Sequence, residues 1–137
     1  MRLASICGLA LTVLAPFNFL ARHAVAEAAP RTIEIVADKD DRFRLPGQDK
    51  QVLILKANEP LLLKITARAG EETARDGAVH SLVIRSLRTQ GWDIRLKPGE
   101  QDVHIRAPSR PGTYQIECTV KCGSGHDNMK LKVVVEP

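Results

Sequence analysis

No run of like charges appears anywhere in this 137-residue sequence, so its formal net charge of +4 offers no basic patch for nucleic acid. Internal repeats and low-complexity tracts are also absent. After residue 30 no segment sustains an apolar period near 3.6 over three turns, which excludes a helical domain. At most one short helical turn fits between Ala69 and Ala78. There is no phosphate-binding loop, no nucleophile–base pair and no motif for a substrate pocket, so catalysis by this chain alone is not expected.

What is present begins with a basic Met1-Arg2, followed by an apolar run from Leu3 to Leu20 broken by Thr12, Pro16 and Asn18. Small residues then offer A-x-A sites at Ala24-Val25-Ala26 and Ala26-Glu27-Ala28. This order predicts a secretory signal peptide over residues 1–26, cleaved after Ala26 or Ala28, and a periplasmic or secreted domain over 27–137. The alternative is an uncleaved anchor, which Pro16 and Asn18 disfavour because a spanning helix wants about 20 uninterrupted apolar residues. Arg2 and Arg22 leave with the leader, so the mature balance is close to neutral. Cys7 leaves too, and Cys118 and Cys122 remain. The mature length of about 110 residues suits one domain with one core and no membrane span.

Short alternating bursts fill the rest: Thr32–Val36, Gln51–Lys56, Leu61–Ala67, Val79–Leu87, Trp92–Leu96, Gln101–Ala107, Thr113–Cys118 and Met129–Glu136. Turn signals such as Pro46-Gly47, Asn58-Glu59-Pro60, Lys97-Pro98-Gly99 and Pro111-Gly112 separate them. Strands of this length with regular punctuation predict an all-β sandwich or barrel. In the last strand Leu131, Val133 and Val135 are expected to face the core. Asp38, Asp40 and Asp41 read as a solvated turn, and Trp92 as a packing residue.

The chemistry gathers in the segment from Cys118 to Met129, spaced C-x3-C-x3-H-x2-M, which carries Cys118, Cys122, His126 and Met129. Gly123 and Gly125 let its backbone curl tightly. Two thiols, an imidazole and a thioether make a soft ligand set that favours copper, with zinc and iron–sulfur next. Met129 argues against structural zinc, which takes Cys and His only. A further ligand must come from outside the loop. His80, at the start of a strong strand, is the candidate, whereas His104 shares an exposed face with Asp102 and Arg106. The bland reading of Cys118 and Cys122 is a disulfide, but a bridge across so short a loop adds little stability and leaves His126 and Met129 without a purpose.

The His80-Ser81 pair on a strand, followed by the loop C-x3-C-G-x-G-H-x2-M, resembles the cupredoxin family, and within it the binuclear CuA domain of cytochrome c oxidase subunit II and nitrous oxide reductase. The motif covers roughly residues 77–137. The resemblance implies a cupredoxin-like Greek-key β-sandwich or barrel. It further implies that Cys118 and Cys122 bridge two copper ions, that His80 and His126 each bind one, and that Met129 and the Val120 carbonyl are weak outer ligands. The family moves single electrons. Subunit II usually carries Glu at the position of Val120 and has an aromatic run ahead of the domain, which this aromatic-poor chain lacks. A free-standing periplasmic carrier that serves a redox protein or copper enzyme is therefore the expectation.

Two other functions compete. A mononuclear Cu(I) site would suit transport or delivery to a copper enzyme, because Cys, His and Met bind Cu(I) equally well. Thiol–disulfide chemistry of the thioredoxin type would need a helix after the second cysteine. Here Gly123 and Gly125 lead into a strand.

Overall fold

The computed structural model describes residues 28–137, and the expected leader lies outside the described residues. Nine strands form two sheets: β1 (Arg31–Asp38), β2 (Arg42–Arg44), β3 (Val52–Lys56), β4 (Pro60–Ala67), β5 (His80–Val83), β6 (Asp93–Leu96), β7 (Gly99–Arg106), β8 (Gly112–Glu117) and β9 (Lys130–Glu136). The first sheet has the order β2-β1-β4-β7 and the second β3-β9-β8-β5-β6. β1 runs parallel to β4 and β3 parallel to β9, while the remaining pairings are antiparallel. Each parallel pair joins strands distant in sequence, as Greek-key crossovers between two sheets require.

The period-two pattern explains the layers. Ile33, Ile35 and Ala37 of β1, Leu61, Leu63, Ile65 and Ala67 of β4, and Leu131, Val133 and Val135 of β9 are all buried between the sheets. Their alternating partners face outward. On β7 the outward set is Asp102, His104 and Arg106, all exposed, as the sequence predicts. Trp92 is fully enclosed, and its Nε1–H donates to the Arg106 carbonyl at 3.1 Å, so its packing role stands.

Two elements depart from the sequence expectation. The strand expected over Val79–Leu87 stops at Val83. Residues Arg85–Gln90 form two short 3-10 turns that meet at a kink at Leu87, and Gly91 ends them in the left-handed region at φ 93°. All four residues of β5 are buried, so it reads as a continuous apolar run whose end periodicity cannot mark. The other departure is β2, whose Arg-Phe-Arg sequence is too short and polar to announce a strand. It forms because Phe43 enters the core while Arg44 reaches Asp38 at 3.2 Å. No helix forms over 69–78, where Gly77 N–H closes a turn onto the Ala74 carbonyl at 2.9 Å. Asp76 braces this turn by accepting from Ala78 N–H at 3.2 Å and from Arg95 at 2.5 and 2.8 Å. The Arg95 contact, then the Ala78 amide, hold its carboxyl down at about 2. The brace fixes the approach to His80.

Candidate metal centre

β8 ends beside the start of β9, and the segment between them folds back on itself. Cys118 N–H donates to the Met129 carbonyl at 3.1 Å and closes the base of the loop. Inside, His126–Asn128 make a single 3-10 turn, with Met129 N–H bonded to the His126 carbonyl at 3.1 Å. Glu72 N–H ties the Cys122 carbonyl to a neighbouring loop at 3.0 Å. The loop is thus satisfied by backbone bonds at both base and tip, which fixes its side chains.

Five sequence-predicted residues of the loop converge. The sulfurs of Cys118 and Cys122 lie 3.8 Å apart, and both thiols are free. A disulfide needs about 2.05 Å, so this spacing belongs to two separate thiols facing one another. Cys122 Sγ also lies 3.6 Å from His126 Nδ1 and 3.8 Å from Met129 Sδ. The Val120 carbonyl stands 3.1 Å from Cys118 Sγ. Cys122 and Met129 are completely buried, while His126 is half-buried and forms the solvent side of the group.

His80 arrives from β5. A nitrogen of its ring and the two cysteine sulfurs lie within 4.8 Å of one another, and the residue has no solvent exposure. The ring is held by Nε2–H, which donates to the Arg68 carbonyl at 2.7 Å. That bond leaves Nδ1 buried without a hydrogen-bond partner. A buried nitrogen lone pair without a partner is costly unless something binds it. One ring nitrogen tied to a backbone carbonyl while the other stays open is the arrangement metal-binding histidines use. The donor set therefore fits a soft metal ion.

The neighbours tune the thiols. Burial opposes ionisation of Cys118, but contact with His80, the backbone of Ser81 and Val120, and Cys122 outweighs it and brings the thiol from the ordinary 9.0 down to about 7. Cys122 goes the other way: burial first, then the Asp41 carboxylate and the Cys118 sulfur, push its thiol well up. Burial lowers the basicity of His80, yet the Cys118 sulfur, the Arg68 carbonyl and Asp41 together leave it raised. Two thiols side by side do not ionise alike, because the first thiolate repels the second.

Ser81 links β5 to the loop. Its hydroxyl accepts the Thr119 N–H at 2.7 Å, and its own N–H donates to Cys118 Sγ at 3.4 Å. Ser81→Ala is expected to destabilise the protein by about 1–2 kcal/mol, because the Thr119 amide loses its acceptor in a partly buried position. Chemical denaturation of the metal-free protein measures this.

The expected solvated turn is corrected at one residue. Asp40 is exposed and Asp38 pairs with Arg44 and Arg68, but Asp41 is buried at 6% exposure and reaches the metal loop. Its Oδ2 accepts Gly125 N–H at 2.9 Å. The glycines of the loop serve a purpose other than the one expected. Neither Gly123 nor Gly125 uses a left-handed conformation. Instead, a Cβ on Gly123 would come within 2.6 Å of Asp41 Oδ2, and one on Gly125 within 2.9 Å of Asp41 Cβ. They are small because a carboxylate from a distant strand connection sits against them. The only trace of this in sequence is a pair of glycines whose spacing no turn type demands.

No protein-family model matches the chain. Cytochrome c oxidase subunit 2 of Thermus thermophilus is 38% identical over 56 residues, covering 39% of this chain and 42% of that protein. The chain thus spans less than half the length of this relative. Among solved structures, a chain of a heme-copper terminal oxidase dimer seen by cryo-electron microscopy superposes with a TM-score of 0.57 at 20% identity, over 93% of this chain and 78% of that one. The periplasmic domain of subunit II of cytochrome oxidase from Bradyrhizobium japonicum gives 0.52 at 14% identity, over 80% and 86%. The sandwich has a cupredoxin-like fold, and the partial sequence match adds a direction to it: over 56 residues this chain resembles cytochrome c oxidase subunit 2.

Proposed function

We propose that the protein holds copper through His80, Cys118, Cys122, His126, Met129 and the Val120 carbonyl as a binuclear centre, and that it carries single electrons rather than catalysing a reaction. The observation that carries this reading is the pair of free sulfurs 3.8 Å apart with a buried, unpartnered imidazole nitrogen beside them. Around the two sulfurs stand two imidazoles, a thioether and a carbonyl, more donors than one four-coordinate ion accepts. Thiolate, imidazole and thioether together favour copper. Copper, when bound, supplies the one-electron redox chemistry.

The chain's own part is orientation and exclusion of water. Arg68 holds the His80 ring through Nε2, so the ring cannot turn when the charge at the site changes. The buried sulfurs of Cys118, Cys122 and Met129 keep solvent away. Against the opposing effect of burial, contact with His80 lowers the Cys118 thiol, whereas burial and the Asp41 carboxylate raise the Cys122 thiol, so a metal ion displaces a proton there. A ligand cage anchored in neighbouring strands β5, β8 and β9 of one packed sheet changes little between oxidation states, which keeps electron transfer fast. His126, at the solvent side, borders a shallow depression with Arg85, Glu117, Asp127 and Lys130, where a redox protein or copper enzyme would dock.

Export to the periplasm rests on the leader read in residues 1–26, with 27–137 as the copper domain. Among the described residues no helix is long and apolar enough to cross a membrane. The apolar Val120, 3% exposed, cannot make the carboxylate contact with an oxidase that Glu makes in subunit II, so an independent carrier fits better.

Copper loading followed by metal analysis and EPR spectroscopy tests the proposal. The expected result is two coppers per chain and a mixed-valence signal split by both nuclei. A single EPR-silent ion would replace this reading with Cu(I) transport or delivery.

A further inference from the structure

The carboxylate of Asp41 is placed by backbone geometry. Its N–H closes a turn onto the Asp38 carbonyl at 3.1 Å, and its φ of 56° lies in the left-handed region that Asp tolerates better than most residues. This conformation coincides with a side chain swung under the metal loop and away from its acidic neighbours. There Oδ2 takes the Gly125 amide, while Oδ1 is buried with no hydrogen-bond partner. The loop backbones close around it: a Cβ at Gly70 would stand 3.1 Å from Oδ1, and one at Gly123 would stand 2.6 Å from Oδ2.

Charge makes this seat unusual. Asp38 pairs with Arg44 and Arg68, and Asp40 with Arg42 and Arg44. Among the described residues no Lys or Arg pairs with Asp41. The ionisable groups that feel it are the Cys122 thiol and the His80 ring. A buried carboxylate with an unmet oxygen is expensive unless a cation answers it. Among the described residues, the group built to receive a cation is that of His80 and the two cysteines.

We propose that Asp41 is a positioning residue of the copper site: it pins the Gly123–Gly125 turn through Oδ2, and its negative charge favours the oxidised over the reduced metal. This rests on the copper reading above. The oxidised site carries one more positive charge than the reduced site. A fixed anion in a low-dielectric interior stabilises that extra charge by Coulomb attraction, which water screens poorly there. Taking up one electron from a reductant removes the charge and with it the attraction.

The test compares Asp41→Asn and Asp41→Ala with the unaltered protein, all copper-loaded, in redox titrations with one-electron mediator dyes. Asparagine retains an oxygen for the Gly125 amide and removes the charge, and alanine removes both. Both variants should keep the copper count and favour the reduced form by tenfold or more, which is a rise of about 59 mV for a one-electron couple. The Gly125 amide should exchange with solvent faster in the alanine variant only. If the asparagine variant does not fold, the alanine variant carries the potential measurement. An unchanged or lowered potential at full copper occupancy overturns the role of Asp41 and leaves the copper reading intact. A folded asparagine variant that loses copper also overturns it, because the carboxylate would then be a ligand. An unaltered protein that takes up no copper overturns both.

Discussion

Cys122→Ser is expected to abolish copper binding while leaving the sandwich folded. Cys122 is the hub of the loop, with Cys118, His126 and Met129 all 3.6–3.8 Å from its sulfur. Serine has nearly the same shape and fills the same buried space, so the metal-free fold should hold. Its hydroxyl does not ionise near neutrality and is a hard donor, which soft copper disfavours. Losing a partner that merely orients a ligand already weakens metal sites by about 10–100-fold, and loss of a thiolate ligand exceeds that. Competition with a chelator of known affinity measures the drop, and circular dichroism checks the fold. Copper retained at near-unaltered affinity in this variant would show that the sulfurs are structural.

Leu63→Ala is expected to have the largest effect on stability, with a loss of about 2–5 kcal/mol. Leu63 has no exposed surface and sits mid-way along β4, which is flanked by β1 on one side and β7 on the other. Neither neighbouring strand can collapse into the space without breaking its own ladder, which puts the value in the upper part of that range. At about 4 °C per kcal/mol for a domain of this size, the thermal midpoint falls by roughly 8–20 °C. Copper should partly restore it, since any ligand that binds only the folded state raises apparent stability. A loss below 1 kcal/mol in urea denaturation would mean that the core is less tightly packed there than the burial indicates.

Most of the sandwich was legible because alternation is a local property. Leu131, Val133 and Val135 can only face inward together, whatever the rest of the chain does. The elements that escaped were those in which alternation fails. Tertiary burial covers both faces of β5, so its end at Val83 left no mark. β2 is three residues long and owes its existence to Phe43 meeting a core built by other strands. The candidate site divides in the same way. Cys118, Cys122, His126 and Met129 declared themselves by spacing on one loop. His80 is marked in sequence only by its strand and by its resemblance to a known pattern, and the fold places it within 4.8 Å of both sulfurs. Asp41 carries no such mark, because an acidic residue in an acidic turn has the sequence signature of a solvated one, and only the chain packed over it makes it buried.

The sequence alone determined the type of chemistry: soft donors at fixed short spacings, on a chain able to form only short strands. The tertiary structure alone decided which distant groups complete that chemistry, bringing β5 and the turn after β1 against the same loop. Short-range spacing is written in bond geometry, whereas the meeting of residues 41, 80 and 122 depends on the packing of two whole sheets.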